Sequence, residues 1–121
     1  MIDNDFEKII EVITMYFKGT YQGNSDLLYK AFHPDARITG LINNETIDWA
    51  LSDFITRVTT NPTAVNKGEK YDKEIISIDK TKDAAMVKSR VAVGEWIFFD
   101  YITLLKIEGQ WIIRNKSFTK M

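Results

Sequence analysis

The chain has no cysteine and a single histidine among its 121 residues. Without cysteine there is no disulfide bond, no thiolate nucleophile and no thiolate metal site. One histidine, His33, excludes a site built from two histidines, and zinc is not expected. The sequence also lacks a phosphate loop, a dinucleotide fingerprint and a nucleophile elbow. We therefore predict no metal and no cofactor.

The chain has little excess charge and no long apolar run. Its formal net charge is −1, and acidic and basic residues are interspersed, so no basic stripe is available for nucleic acid or an anionic membrane. No apolar run approaches the ~20 residues that span a bilayer, and the first residues do not resemble a signal peptide. With 45% hydrophobic residues, we expect a single cytoplasmic domain over residues 1–121.

Apolar residues at helical spacing predict three helices in the first half of the chain. Asn4 and Glu7 have the spacing of a capping box at the start of the first helix, and Gly23 can end it. A second, short helix precedes Pro34, because proline cannot continue the hydrogen-bond ladder. The third helix ends before Pro62.

The second half of the chain is predicted to be mostly strands. The expected strands cover residues 36–41, 46–49, 71–78 and 84–93, followed by a hairpin from Trp96 that turns at Glu108-Gly109 and runs nearly to Met121. Asn43-Asn44 and residues 79–83 are predicted turns, and residues 60–69 a polar loop. Helices followed by a meander of strands indicate an α+β fold.

The strand that begins at Trp96 is apolar on both of its faces. Helices of the same chain can cover only one of these faces. A second copy of the chain is the expected cover for the other. This pattern predicts a homodimer.

Three stretches resemble the nuclear transport factor 2-like superfamily, and most closely its putative lumazine-binding branch near the polyketide-cyclase-like families. They are Tyr21–Asp26 leading to Ala31–Ala36, the strand Asp100–Lys106, and Gly109–Phe118. The resemblance implies a cone-shaped, curved antiparallel sheet packed against three helices, also called cystatin-like. It implies a pocket between sheet and helices and a convex face free for the partner copy. It does not fix the chemistry, because this fold carries enzymes and binding modules alike.

Asp100 is the most informative candidate site residue. Regular alternation points it the same way as Ile102 and Leu104, among apolar side chains. There a carboxyl group could donate a hydrogen bond as a neutral acid or act as a base. The structural alternative is an ion pair with Lys88 or Arg90 on the neighbouring strand.

Four other residues complete the predicted ligand site: Tyr16, Trp49, Ser89 and Asn115. Tyr16 could line the pocket or pack in the core, and Trp49 could stack on a flat ring or simply pack. Alternation places Asn115 on the same face as Trp111, and Ser89 on the same face as Val87 and Val91, so both could be polar contacts in an apolar pocket. Both could instead satisfy backbone groups.

Several other residues are interpreted as structural. Trp96 and Trp111 are expected to pack in the core or at the dimer interface, while Lys106, Arg114 and Lys116 are expected to be solvated.

Three functions remain open at this point. The first is a homodimeric protein that binds a small hydrophobic or heteroaromatic molecule. The second is a lyase or isomerase acting on a cyclic hydrophobic substrate with Asp100 as acid or base. Against it, the general base of the related ketosteroid isomerases would fall at Gly40, which cannot take a proton. The third is a dimeric scaffold whose pocket is plugged by its own side chains.

Overall fold

The computed structural model describes residues 4–60 and 67–121, which form three helices and a six-stranded sheet. The helices are α1 (Asp5–Gln22), α2 (Ser25–Ala31) and α3 (Leu51–Thr60). The strands are β1 (Phe32–Ile42), β2 (Glu45–Ala50), β3 (Lys73–Thr81), β4 (Ala84–Val93), β5 (Trp96–Ile107) and β6 (Gln110–Lys120). In the described part of the chain no helix is both long and apolar enough to cross a bilayer.

The strand order is β2-β1-β6-β5-β4-β3, and every pair is antiparallel except β1 with β6. Two hairpins turn where the sequence predicts, at Asn43-Asn44 and Glu108-Gly109. All four of these residues have positive φ, the conformation that two-residue hairpin turns require. The predicted α+β class, with three helices on a curved antiparallel sheet, is confirmed.

The start of α1 differs from the prediction. The Asn4 side chain makes no capping hydrogen bond, so the capping box with Glu7 is wrong. The buried carboxylate of Asp5 instead holds the first turn to the sheet, accepting hydrogen bonds from Lys106 Nζ at 3.1 Å and Trp111 Nε1 at 3.0 Å. The start of α1 is therefore held by contacts with the sheet and not by a capping side chain.

Two strand boundaries also differ. β1 begins at Phe32 and includes Pro34, because pairing with β6 already extends the chain there. β3 starts later than predicted, at Lys73, and continues to Thr81. The predicted turn over residues 79–83 is therefore wrong, because the chain reverses at Lys82-Asp83. Residues 79–81 are polar, but pairing with β4 keeps them in the sheet. Of the predicted loop 60–69, residues 61–66 lie outside the described residues.

A β-bulge in β6 decides which residues face the helices. β5 pairs Leu104 with Ile113 but Thr103 with Asn115, so Arg114 is an extra residue on β6. An extra residue reverses the alternation of side chains beyond it. The bulge consequently turns Lys116 inward and Asn115 outward.

The sheet has an inner face, covered by the helices, and an outer face. On β5 the inner face buries Asp100, Ile102 and Leu104, each no more than 1% exposed. The outer face of the same strand presents Tyr101, Leu105 and other large apolar side chains at roughly 40% exposure. The strand is therefore apolar on both faces, as its sequence predicts.

Candidate functional site

A cavity of about 340 Å³ lies between the inner face of the sheet and helices α1 and α3. This volume is at the lower end of the range for small-molecule sites. Its walls are mainly aromatic and aliphatic, and the aromatic members are Tyr16, Trp49, Phe54, Trp96, Phe98 and Phe118. The cavity combines this apolar wall with a few polar groups, which is how small-ligand sites are usually built.

Phe118 is the centre of the aromatic wall. Its ring centroid lies 5.7 Å from that of Phe98, in an edge-to-face arrangement, and 6.4 Å from that of Trp49. The guanidinium of Arg57, which also lines the cavity, lies 4.4 Å from the centroid of the Trp49 ring. Stacked and edge-to-face rings hold one another in fixed orientations, so the wall offers a preformed surface to a flat molecule.

A buried chain of hydrogen bonds lies at the inner end of the cavity. The Tyr16 hydroxyl donates to Asp100 Oδ2 at 2.5 Å, and the Ser89 hydroxyl donates to the same oxygen at 3.3 Å. Lys116 Nζ donates to the Tyr16 oxygen at 2.9 Å. Each side chain is at most 6% exposed. Hydrogen bonds in such a chain strengthen one another in surroundings of low dielectric constant.

Burial shifts the pKa of two members of this chain. Burial raises the pKa of the Tyr16 hydroxyl well above its usual value, and the adjacent charge of Asp100 and the hydrogen bond to it raise it further. Burial lowers the pKa of the Lys116 ammonium, which Asp100 partly offsets. The tyrosine is therefore a neutral donor at physiological pH.

The Lys116 ammonium also lies among aromatic rings. Nζ is 4.5 Å from the ring centroid of Phe54, 4.8 Å from that of Tyr16 and 5.4 Å from that of Phe118. Attraction between the cation and the negative ring faces compensates part of the lost hydration. Lys116 can thus stay in a mainly apolar cavity.

Lys73 is a second lysine that lines the cavity. The pKa of its ammonium is lowered to about 8, mainly by burial and to a smaller extent by the charge of Lys116, although Asp100, Glu69 and Asp72 act in the opposite direction. Among the described residues the side chain of Lys73 has no hydrogen bond or ion pair. Nearby, Lys67 pairs with Glu69 at 3.9 Å.

The structure brings four of the five predicted site residues to this place. Tyr16, Trp49 and Asp100 line the cavity, and Ser89 lies behind Asp100 as its hydrogen-bond donor. Asn115 does not reach the cavity. It lies on the outer side of the bulge, where its Oδ1 accepts a hydrogen bond from the Arg37 backbone N–H at 3.2 Å.

The structural alternative for Asp100, an ion pair with a neighbouring strand, is wrong. Arg90 binds Asp72 at 2.9 Å instead. Lys88 lies on the outer face with its ammonium 5.5 Å from the Tyr101 ring. Neither basic residue faces the same side of the sheet as Asp100, because alternation separates them.

The prediction that Lys116 is solvated is wrong, because its side chain is buried in the cavity. Trp111 and Ile113 face inward at odd positions, whereas Phe118 faces inward at an even one. Two apolar sets of opposite phase on one strand indicate a bulge between them, and Lys116 shares the phase of Phe118. This signal in the sequence could have found it.

Two further expectations for structural residues need correction. Trp96, expected to pack in the core or at the dimer interface, is half-exposed and lines the cavity, with the Lys120 ammonium 4.0 Å from its ring, so it does not pack in the core. Lys106 is not simply solvated, because it binds Asp5. Arg114 is partly exposed, and its guanidinium donates to the Asp35 carbonyl at 3.0 Å.

Gly40 lies on the inner face of β1, opposite Phe118 of β6. A Cβ atom on Gly40 would stand 2.6 Å from the Phe118 carbonyl oxygen and 2.7 Å from its ring. A side chain at this position would therefore collide with Phe118.

Residues 4–119 match the family described as putative lumazine-binding proteins. The chain belongs to that family. We found no candidate metal site among the described residues: nowhere in that part of the chain do three or more histidine, cysteine, aspartate or glutamate side chains lie close enough together to hold an ion.

Solved structures with the same fold cover nearly the whole chain. An NTF2-like protein from Shewanella baltica has a TM-score of 0.87 at 21% identity, with 98% of this chain and 94% of that one covered. One from Methylobacillus flagellatus has a TM-score of 0.84 at 24% identity, covering 100% of this chain and 95% of that one. Both are described as proteins of unknown function, so they establish the nuclear transport factor 2-like fold of this family member and nothing about its chemistry.

A sequence relative carries a functional name. The aldolase FrzH from a Cladobotryum species is 26% identical over 117 residues, which is 95% of this chain and 90% of that protein.

Proposed function

We propose that this protein is a homodimer that binds a small hydrophobic or heteroaromatic molecule in the cavity between sheet and helices. The observation that carries the proposal is the aromatic cavity of about 340 Å³ with the Lys116–Tyr16–Asp100 chain at its inner end. An open space of this size argues against a scaffold plugged by its own side chains. The family description points towards a flat heterocycle.

The two parts of the cavity have different tasks in this proposal. The rings of Trp49 and Phe118 contact the faces of a flat ligand and remove apolar surface from water. Asp100 and the groups bonded to it supply the directional contacts that fix the orientation of the ligand. Ser89 keeps the carboxylate in place without touching the ligand.

The test is calorimetric titration of the protein with lumazine and related bicyclic heterocycles. We expect Trp49→Ala and Asp100→Ala each to weaken binding by at least about tenfold, because each removes one class of contact. Lys82→Ala, in the exposed turn between β3 and β4, is the control and should not change affinity. If both cavity variants bound as tightly as the parent protein, the ligand would not occupy this cavity.

A second candidate function is a lyase that makes or breaks a bond next to a carbonyl group on a cyclic substrate. The aldolase name of the 26%-identical relative supports it, as does a carboxylate beside a buried lysine and tyrosine. In this reading Asp100 removes or returns the proton on the carbon next to the carbonyl, and the Lys116 ammonium stabilises the developing enolate oxygen.

Proton exchange tests this candidate without knowledge of the partner substrate. A cyclic ketone in D₂O should exchange its α-protons faster with the protein present, as followed by ¹H NMR. Asp100→Asn should abolish the acceleration, while Ser89→Ala should only reduce it. An unchanged rate with Asp100→Asn would rule out the role of Asp100 as base.

A further inference from the structure

The cavity lining carries more positive than negative charge. Its basic residues are Arg57, Lys67, Lys73 and Lys116, and its acidic residues are Glu69 and Asp100. Four of these charges form two pairs: Lys67 with Glu69, and Lys116 with Asp100 through the Tyr16 hydroxyl. Among the described residues the Lys73 ammonium has no paired acid, and in a small apolar space such a group attracts an anion strongly.

Lys73 and Lys116 are the two lysines with N–H groups left for a ligand. Among the described residues Lys116 makes one hydrogen bond, to Tyr16, although an ammonium has three donors. Lys73 makes none with that part of the chain. The charge of Lys116 lowers the pKa of Lys73, although less than burial does, and both side chains line the same cavity.

A purely structural role does not explain this arrangement. Burying a lysine costs free energy unless its charge is paired, and Lys73 has no partner in the described fold although it lines the cavity. An apolar residue at either position would pack more favourably. A bound anion would compensate for this cost, because it would accept hydrogen bonds from both ammonium groups.

We infer that the ligand is a planar ring compound bearing an anionic oxygen, and that Lys73 and Lys116 bind this oxygen while the aromatic wall contacts the ring. The oxygen belongs either to a carboxylate or to the enolate of a cyclic carbonyl compound, which share this chemistry. The inference rests on the proposed function, since it names the class of molecule that the same cavity takes.

Matched pairs of probes of nearly equal shape test the charge requirement. 2-Naphthoate is compared with the neutral 2-naphthamide, and 4-hydroxycoumarin, which ionises to an enolate, with the neutral coumarin. Affinities are measured by calorimetry at pH 7. We expect the anion of at least one pair to bind roughly ten- to hundredfold more tightly than its neutral partner, the range typical of charge-assisted hydrogen bonds. The pair that shows the preference identifies the source of the anionic oxygen.

Lysine variants then locate the anion. Lys73→Met and Lys116→Met keep the length of the side chain and remove the charge, and each should reduce the preference for the anion at least about fivefold. Lys70→Met is the control, because Lys70 is exposed and does not line the cavity. It should leave the preference unchanged.

The possible failures are distinguishable. Equal binding of anionic and neutral probes would overturn the inference and leave small-ligand binding intact. A preference that survives in both lysine variants would place the anion elsewhere and also overturn it. If no probe bound, and the heterocycles tested above did not bind either, the proposed function itself would fail.

Discussion

The Tyr16 hydroxyl and the Asp100 carboxylate are 84 residues apart in sequence and share a buried hydrogen bond of 2.5 Å. This bond links the middle of α1 to the middle of β5, at the inner end of the cavity. It therefore ties the stability of the fold to the geometry of the site.

Tyr16→Phe should destabilise the protein by about 1–3 kcal/mol, because it removes a buried donor from Asp100 and the acceptor of Lys116. Urea unfolding followed by circular dichroism measures this change. The double variant with Asp100→Asn should lose clearly less than the sum of the single losses. Strictly additive losses would mean that the two groups do not interact.

Lys73→Met should stabilise the protein at pH 7 by up to about 3 kcal/mol, since burial lowers the pKa of Lys73 from 10.5 to about 8. In the parent protein the folded state binds fewer protons than the unfolded state between these two values, so its stability rises with pH across that window. The gain from Lys73→Met should therefore shrink from pH 8 towards pH 10.5.

Urea unfolding at several pH values measures this dependence. The charged groups acting on Lys73 are Asp100, Lys116, Glu69 and Asp72. Lys70→Met should show neither the gain nor its pH dependence. A destabilised Lys73→Met variant at pH 7 would show that the ammonium is well compensated in the folded protein.

Asp5 should protect the fold against acid. The hydrogen bond from Trp111, with further contributions from Lys106 and Lys80, lowers the pKa of its carboxyl from 3.8 to about 2. A lowered pKa in the folded state contributes stability above the unfolded value, and this contribution is lost as pH falls from about 4 to about 2.

Asp5→Asn should consequently be less stable at pH 6 and should lose less stability than the parent protein between pH 4 and pH 2. Acid titration followed by circular dichroism measures both effects. Asp53→Asn, in the exposed first turn of α3, is the control. Parallel acid curves for the parent protein and Asp5→Asn would contradict the assignment.

Gly40→Ala should destabilise the protein by about 1–3 kcal/mol, because its methyl group would meet the Phe118 carbonyl oxygen and ring. It should also weaken ligand binding by moving Phe118 in the cavity. Adding Phe118→Leu should recover only part of the stability, since the contact with the carbonyl oxygen persists. Thermal unfolding measures the change in stability, and titration with the cavity ligand measures the change in affinity. A Gly40→Ala protein as stable as the parent would show that β1 and β6 can move apart without loss of free energy of unfolding.

Leu105→Glu should convert the proposed homodimer to a monomer, because a charge would replace a large exposed side chain on the outer face of β5. Size-exclusion chromatography with light scattering gives the mass of each variant. Lys82→Glu, in the exposed turn between β3 and β4, should leave the mass unchanged. A parent protein that is monomeric at micromolar concentration would overturn the dimer.

Local sequence patterns determined the type and order of the elements and placed Asp100 on the same face of β5 as Ile102 and Leu104. They did not determine which face points inward, because both faces of this strand are apolar. Helical spacing, hairpin turns such as Glu108-Gly109 and strict alternation along β5 depend on neighbouring residues, so they are readable without tertiary contacts. For Trp49 the sequence leaves stacking on a ligand and ordinary packing as equal alternatives. Tyr16 enters the predicted site only through the family resemblance, because its helical spacing by itself favours core packing.

Only the tertiary structure decided the positions of Lys116, Asn115 and Asp5. β6 pairs with β1 on one side and β5 on the other, and the register with both partners shifts close to Asn115. The position of this bulge depends on pairing with two strands that are distant in sequence, so a short stretch of sequence does not determine it. The bulge reverses which side chains of β6 point inward beyond it. The hydrogen bonds of Asp5 likewise come from partners about a hundred residues away in sequence. Such contacts form only when the tertiary structure brings distant segments together.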